Sequence, residues 1–386
     1  MKRILLLFVA LSLTFGNAGA KKVRVYRAKG TAAGTEAPAR TASAGEVKNL
    51  IFMIGDGMGL AHVSMMLVEG GGTPTAFNRM QNVALISTCS ANNRVTDSAA
   101  AGTALATGCK TDNSKLGVTP DGNPAVSMMA RAARQQMPSG FVVTCKVQHA
   151  TPGAFYAHVP HRGRYDLISH QLADAGLDVA FGGGRAEMTA PDSLGLSAVD
   201  KLKRSGCRVI YDWAEAEDIR SGRVTGLFAD DHMPSMLEGR GSYLPQAVRK
   251  ALEILENNAE ERGKGFMLMV EGSQIDFESH ANNTPGLLAE VRDFGEAVDA
   301  ALHFADLHPG TLVVVTADHE TGGLSLPSGK TDFTASESGI DYRYGTTSHT
   351  GILVPVYLYG TGAERINGVM TNAELGRKLM EIMGLK

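Results

Sequence analysis

Six apolar runs of strand length constrain this chain more than any other feature: Leu50–Ile54, Ala84–Thr88, Phe141–Thr144, Phe266–Val270, Leu312–Thr316 and Leu353–Leu358. Their apolarity is continuous rather than alternating, which is the pattern of strands covered on both faces. Between them, residues 247–259 and 287–304 carry apolar side chains at helical spacing. Strand and helix in alternation imply an α/β fold, doubly wound, with a mostly parallel central sheet and helices on both faces. Polar residues follow the strands closely. Asp56 stands two positions after Ile54, Glu271 directly after Val270, and Asp318 two after Thr316. Ligands in such sheets collect at the carboxyl ends of the strands, so residues far apart in sequence are expected to meet along one edge.

The polar signatures have a chemistry in common. Asp56 lies in Ile54-Gly55-Asp56-Gly57-Met58-Gly59; Glu271, Asp276 and His280 lie in one ten-residue segment; Asp318-His319 and His349 come later. Carboxylate with imidazole suits zinc, and all-oxygen sets suit magnesium. Asp276 and His280 are four apart, so one helical turn would put both on one face. Ser98, in Asp97-Ser98-Ala99-Ala100-Ala101-Gly102-Thr103-Ala104, opens a segment of high helix propensity, where a hydroxyl and free amides would meet an anion. Each of these has a plain alternative when taken singly. Asp-Ser is a common helix cap, an Asp/His pair is common on surfaces, and a loop histidine such as His349 is as often solvated. No Gly-x-Ser-x-Gly arrangement accompanies Ser98, so its activation points to a metal.

Taken together and in this order, the segments resemble the alkaline phosphatase family over roughly residues 47 to 382. The run is completed by His149-Ala150-Thr151-Pro152, Arg162, Thr316-Ala317-Asp318-His319-Glu320-Thr321-Gly322-Gly323 and Ser348-His349-Thr350-Gly351. The resemblance implies an exported metal-dependent phosphomonoesterase that releases inorganic phosphate through a phosphoserine on Ser98. Arg162 would clamp the phosphate, with Asp97 orienting it. One zinc would take Asp276, His280 and His349, and a second Asp56, Asp318 and His319. A third ion, usually magnesium, would share Asp56 and add Thr151 and Glu271. His149 stands near that third site, where the enterobacterial form has Asp, which leaves open magnesium, zinc or mixed occupancy. The resemblance also implies a homodimer. The polar, Gly/Ser-rich stretch from Glu320 to Ser348 occupies the place of the family's crown insertion and reads as a reduced lid. Ser98 with Arg162, and no Cys-x-Pro-x-Arg motif, argue against a relative specialised for phosphodiesters or sulfate esters. A non-catalytic phosphate- or metal-binding protein would be expected to lack a ligand or Ser98, and none is missing.

With 37 basic and 40 acidic residues, the net charge of -3 excludes a general polybasic nucleic-acid binder. Small phosphate monoesters are the expected partners. Met1-Lys2-Arg3, the apolar run Ile4–Leu11 and Ala18-Gly19-Ala20 have the layout of a signal peptide over 1–20, cleaved after Ala20, which implies a periplasmic or secreted protein. The apolar run is too short to span a membrane. Residues 21–45 are read as a flexible tether and 46–386 as one catalytic domain. Export would permit disulfides among Cys89, Cys109, Cys145 and Cys207, but their spacing selects no pairing over isolated thiols. The remaining histidines, including His62 and His232, are read as structural or surface groups, Gly182-Gly183-Gly184-Arg185 as a turn, and Met128-Met129 as core.

Overall fold

The computed structural model describes residues 45–70, 73–329 and 339–386. The expected signal peptide and almost all of the tether lie outside the described residues, as does part of the expected lid. Ten strands form one sheet. In chain order they are β1 (Asn49–Gly55), β2 (Asn82–Ser87), β3 (Ser139–Lys146), β4 (Val179–Gly183), β5 (Arg208–Ile210), β6 (Val224–Leu227), β7 (Met267–Gly272), β8 (Thr311–Thr316), β9 (Val354–Gly360) and β10 (Gly368–Thr371). Across the sheet the order is β10-β2-β9-β8-β1-β7-β3-β4-β6-β5. β9 runs antiparallel to both its neighbours, and every other pairing is parallel. The fold is the mostly parallel α/β arrangement that the continuous apolar runs imply. Every residue of β7 and β8 is buried, so helices and loops cover both faces there.

Each of the six apolar runs becomes a strand of this sheet. The short outer strands β4, β5, β6 and β10 have too few apolar residues to stand out in the sequence. Gly182 and Gly183 end β4 rather than forming a turn, and the turn itself narrows to Gly184, at φ +91. The helical periodicities fall inside Tyr243–Arg262 and Thr284–Leu307. Met128 and Met129 are buried, as a core stripe should be.

Strand register explains how distant ligands meet. β1 lies between β7 and β8, and Ile54 pairs with Glu271 on one side and Thr316 on the other. Parallel strands in this register must deliver Asp56, Glu271 and Asp318 to the same carboxyl edge. Asp56 is held there by its amide, which donates to Gly272 O at 3.3 Å. His349 arrives differently. The two-residue strands Glu320–Thr321 and His349–Thr350 pair antiparallel, with His349 opposite Thr321, so the chain returns to the edge after its excursion. Among the described residues, no helix is long and apolar enough to cross a membrane.

Candidate active site and metal centre

Ser98 begins the helix Ser98–Thr107, capped by Asp97, whose Oδ1 accepts from the Ala100 amide at 2.9 Å. The cap carboxylate has further partners: Oδ2 accepts from the Ser114 amide at 2.8 Å and faces Arg162 Nη1 at 3.5 Å. The common-cap reading of Asp-Ser is therefore true of Asp97, and it points the following Ser98 hydroxyl at the sheet edge. There Ser98 Oγ lies 3.2 Å from His319 Nε2.

Two groups of three side chains that could hold a metal lie at this edge, the first touching the hydroxyl through His319. Asp56, Asp318 and His319 bring ligand atoms within 4.8 Å of one another, as do Asp276, His280 and His349. The helix Gln274–His280 puts Asp276 and His280 one turn apart, as their spacing predicts. The second group shows most directly what it accommodates. His280 Nδ1 faces Thr347 O at 2.7 Å, and His349 Nδ1 faces Thr96 O at 2.8 Å. A carbonyl only accepts, so each Nδ1 carries a proton, and a ring without a second proton turns the lone pair of Nε2 inward. The two Nε2 atoms stand 3.1 Å apart, with Asp276 Oδ2 3.3 Å from His280. Lone pairs so placed repel unless a cation lies among them. The hydrogen bond to Asp276 draws a proton there instead, raising the His280 pKa to about 9.

His319 follows the same logic. Thr321 Oγ1 donates to Asp276 Oδ1 at 2.5 Å and so accepts from His319 Nδ1 at 3.1 Å. That leaves His319 Nε2 facing Asp318 Oδ2 at 3.2 Å, Asp56 Oδ1 at 3.4 Å and the serine. Burial lowers the His319 pKa to about 4 and keeps the ring a neutral donor of its lone pair. Asp318 Oδ1 is taken by the amides of Gly57 and His319, while Oδ2 has no partner. Asp56 is fully buried with neither oxygen hydrogen-bonded. Burial first, then the charges of Asp318, Asp276 and Glu271, push its pKa well up. Buried carboxylate oxygens are rarely left without partners, so this donor set fits a divalent cation. Gly57 makes the turn possible. Its φ is +73, and a Cβ would meet Thr321 Oγ1 at 2.7 Å.

The expected third site is a separate cluster. Glu271 Oε1, Thr151 Oγ1 and His149 Nδ1 are buried without partners. Burial raises the Glu271 pKa to about 7, although Glu271 Oε2 accepts from Ser273 Oγ at 2.7 Å. His149 Nε2 contacts Arg162 Nη2 at 3.3 Å, and its ring stacks edge-on to His232 and Phe277. Burial, then Arg162 and His232, hold His149 well below the usual histidine range. All the expected site residues thus converge on one edge. Sequence reasoning missed Thr321, which links the two ligand groups, and Cys145, which joins Glu271 and His149 in the third. The signal for Thr321 is its place inside the Thr316–Gly323 run, two residues after His319. His62 is structural, accepting from the Gly59 amide and meeting Ser279 Oγ, each at 3.1 Å. His232 is half-buried beside His149 rather than remote from the site.

Comparison with known proteins gives one answer. Residues 47–341 match the alkaline phosphatase family. Alkaline phosphatase 4 of Bacillus subtilis is 30% identical, over 90% of this chain and 91% of its own. The structure of the alkaline phosphatase from the Antarctic bacterium TAB5 superposes with a TM-score of 0.82 at 34% identity, covering 89% of this chain and all of that one. A variant of the TAB5 enzyme, with aspartate in place of one histidine, has magnesium in its M3 site and superposes at 0.81 with 32% identity, over 89% of this chain and all of its own.

Proposed function

Because the chain belongs to the alkaline phosphatase family and is a phosphatase, we propose that it hydrolyses small phosphate monoesters through a phosphoserine on Ser98. The carrying observation is the Ser98 hydroxyl, at a helix N-terminus and in contact with His319 of one of two groups of three metal-type side chains. Asp276, His280 and His349 would hold one zinc, and Asp56, Asp318 and His319 another. Divalent ions there supply Lewis acidity that lowers the hydroxyl pKa and steadies charge on the attacking and leaving oxygens.

The protein residues have separate tasks. The helix start aims Ser98 Oγ at phosphorus and offers its first amides to a phosphoryl oxygen. Attack forms the Ser98 O–P bond as the bond to the leaving alcohol breaks. Water then cleaves the phosphoserine, returning the hydroxyl and releasing inorganic phosphate. Arg162 grips two non-bridging oxygens, and Asp97 holds its guanidinium in place. With divalent ions bound the pocket would be cationic and would match a monoester dianion better than a diester monoanion. Glu271, Thr151 and Asp56 would hold the third ion, with His149 beside it. Magnesium in the M3 site of the aspartate-bearing TAB5 variant supports magnesium as one occupant of the site, and His149 is proposed as the residue that shifts its preference. Export from the signal-like N-terminus and a homodimer complete the proposal.

Trapping with labelled monoester at acid pH tests it. The label is expected on Ser98, and Ser98→Ala should lose turnover by several orders of magnitude while retaining its zinc. A label on another residue refutes the mechanism.

A further inference from the structure

Cys145 has no part in the chemistry above, yet it sits within the third cluster. It lies near the end of β3, fully buried, with Sγ 3.3 Å from Glu271 Oε2 and 3.2 Å from Lys146 O. Its sulfur and ligand atoms of His149 and Glu271 lie within 4.8 Å of one another. A thiol that only fills space is normally enclosed by apolar groups. Here the neighbours include Glu271 and His149, whose Oε1 and Nδ1 are buried and without hydrogen-bond partners. One S–H can donate to Glu271 or to the Lys146 carbonyl but not to both, so sulfur lone pairs also face acceptors.

We propose that Cys145 is a ligand of the third metal site, making it a mixed sulfur, nitrogen and oxygen centre that prefers zinc-like ions to magnesium. The proposal rests on the third-site reading above. A soft thiolate selects zinc, whereas magnesium demands near-octahedral oxygen ligands. As the metal–sulfur bond forms, the S–H bond breaks and the proton passes to solvent. With magnesium bound, the thiol keeps its proton and its hydrogen bond to Glu271. The site thus has two occupied forms that differ by one proton on Cys145.

Cadmium titration of the full chain, in a Cys89→Ser/Cys109→Ser background that removes the exposed thiols, separates the alternatives. The third equivalent is expected to bring a sulfur-to-metal charge-transfer band in the ultraviolet. Cys145→Ser should abolish the band and weaken zinc binding by that equivalent at least roughly 10-fold, with magnesium binding unchanged. Cys145→Ala provides the same comparison if the serine variant folds poorly. Three bound ions with identical spectra in both chains, or unchanged zinc affinity, would show that Cys145 merely hydrogen-bonds to Glu271 and overturn the proposal. Failure of the phosphoserine reading would register elsewhere, as a missing Ser98 label with the Cys145-dependent band still present.

Discussion

Arg162 and His149 show how single residues set what the pocket accepts. Arg162 Nη2 lies 3.3 Å from His149 Nε2, so the residue that would clamp the phosphate also touches the imidazole beside the third cluster. Arg162→Ala is expected to cut monoester kcat/KM by roughly 10²–10³-fold, the loss typical of one oriented charge-stabilising donor. The loss for a matched diester should be much smaller, since a diester presents less charge to the clamp. Equal losses on the two substrates would remove Arg162 from contact with the non-bridging oxygens. His149→Asp adds a hard anionic oxygen beside Glu271 and Thr151 and should raise magnesium affinity. Titration of both proteins with magnesium, read by activity, checks this. Identical curves would leave His149 as a packing residue.

At the scale of elements, the head of the helix Ser98–Thr107 combines two jobs in one side chain. Asp97 caps the helix and restrains Arg162. Asp97→Ala should cost about 1 kcal/mol of stability through the lost cap and should also weaken phosphate inhibition. Asp97→Asn can still accept from the Ala100 amide, so it should recover most of the stability but not the phosphate affinity. Urea unfolding and phosphate inhibition measured on both variants test that split. A second element carries a pH signature. Asp293, on the helix Thr284–Leu307, is buried beside Glu290 and Arg240, with its Oδ2 2.8 Å from Arg240 Nη2. Burial outweighs the arginine and raises its pKa to about 6. A carboxyl raised in the folded state binds more protons there than in the unfolded chain. Its contribution is therefore full below the unfolded value of about 4 and is lost as pH rises through about 6. Asp293→Asn should flatten stability between those limits, by on the order of 1–3 kcal/mol. Urea unfolding across that range reads it directly, and an unchanged slope would count against the raised pKa.

For the whole molecule, the cost of the site is concentrated burial of like charge. Asp56, Glu271, Asp276 and Asp318 are all buried along one sheet edge. Such a cluster destabilises the fold unless cations compensate it. Ions that bind only the folded chain stabilise it by mass action, about 2.7 kcal/mol each at 100 times Kd. Chelation should therefore lower the Tm by on the order of 5 °C or more per ion removed, reversed by added zinc. Differential scanning calorimetry with and without chelator measures it. A Tm indifferent to chelator would mean that the carboxylates are neutralised by protons alone.

The sequence by itself determined the sheet, and it singled out most of the residues that the fold brings to one edge. β1, β3, β7 and β8 had to be hydrophobic along their whole length to be covered on both faces, and that is visible without coordinates. A strand followed within two residues by an acid already places Asp56, Glu271 and Asp318 on one edge, and the motif order assigned their expected roles. What depended on tertiary contacts was whatever is read by direction rather than type. The inward lone pairs of His280 and His349 depend on the carbonyls of Thr347 and Thr96. His349 reaches the edge only through pairing with Thr321, at the far end of a long excursion. β4, β5, β6 and β10 owe their strand state to neighbours rather than to apolar length. Cys145 was one of four unassigned thiols until β3 lay beside β7 in a register pairing Val143 with Glu271. Residue type limits which bonds a group can form, while packing selects which of its atoms faces which partner, and only the folded chain contains that choice.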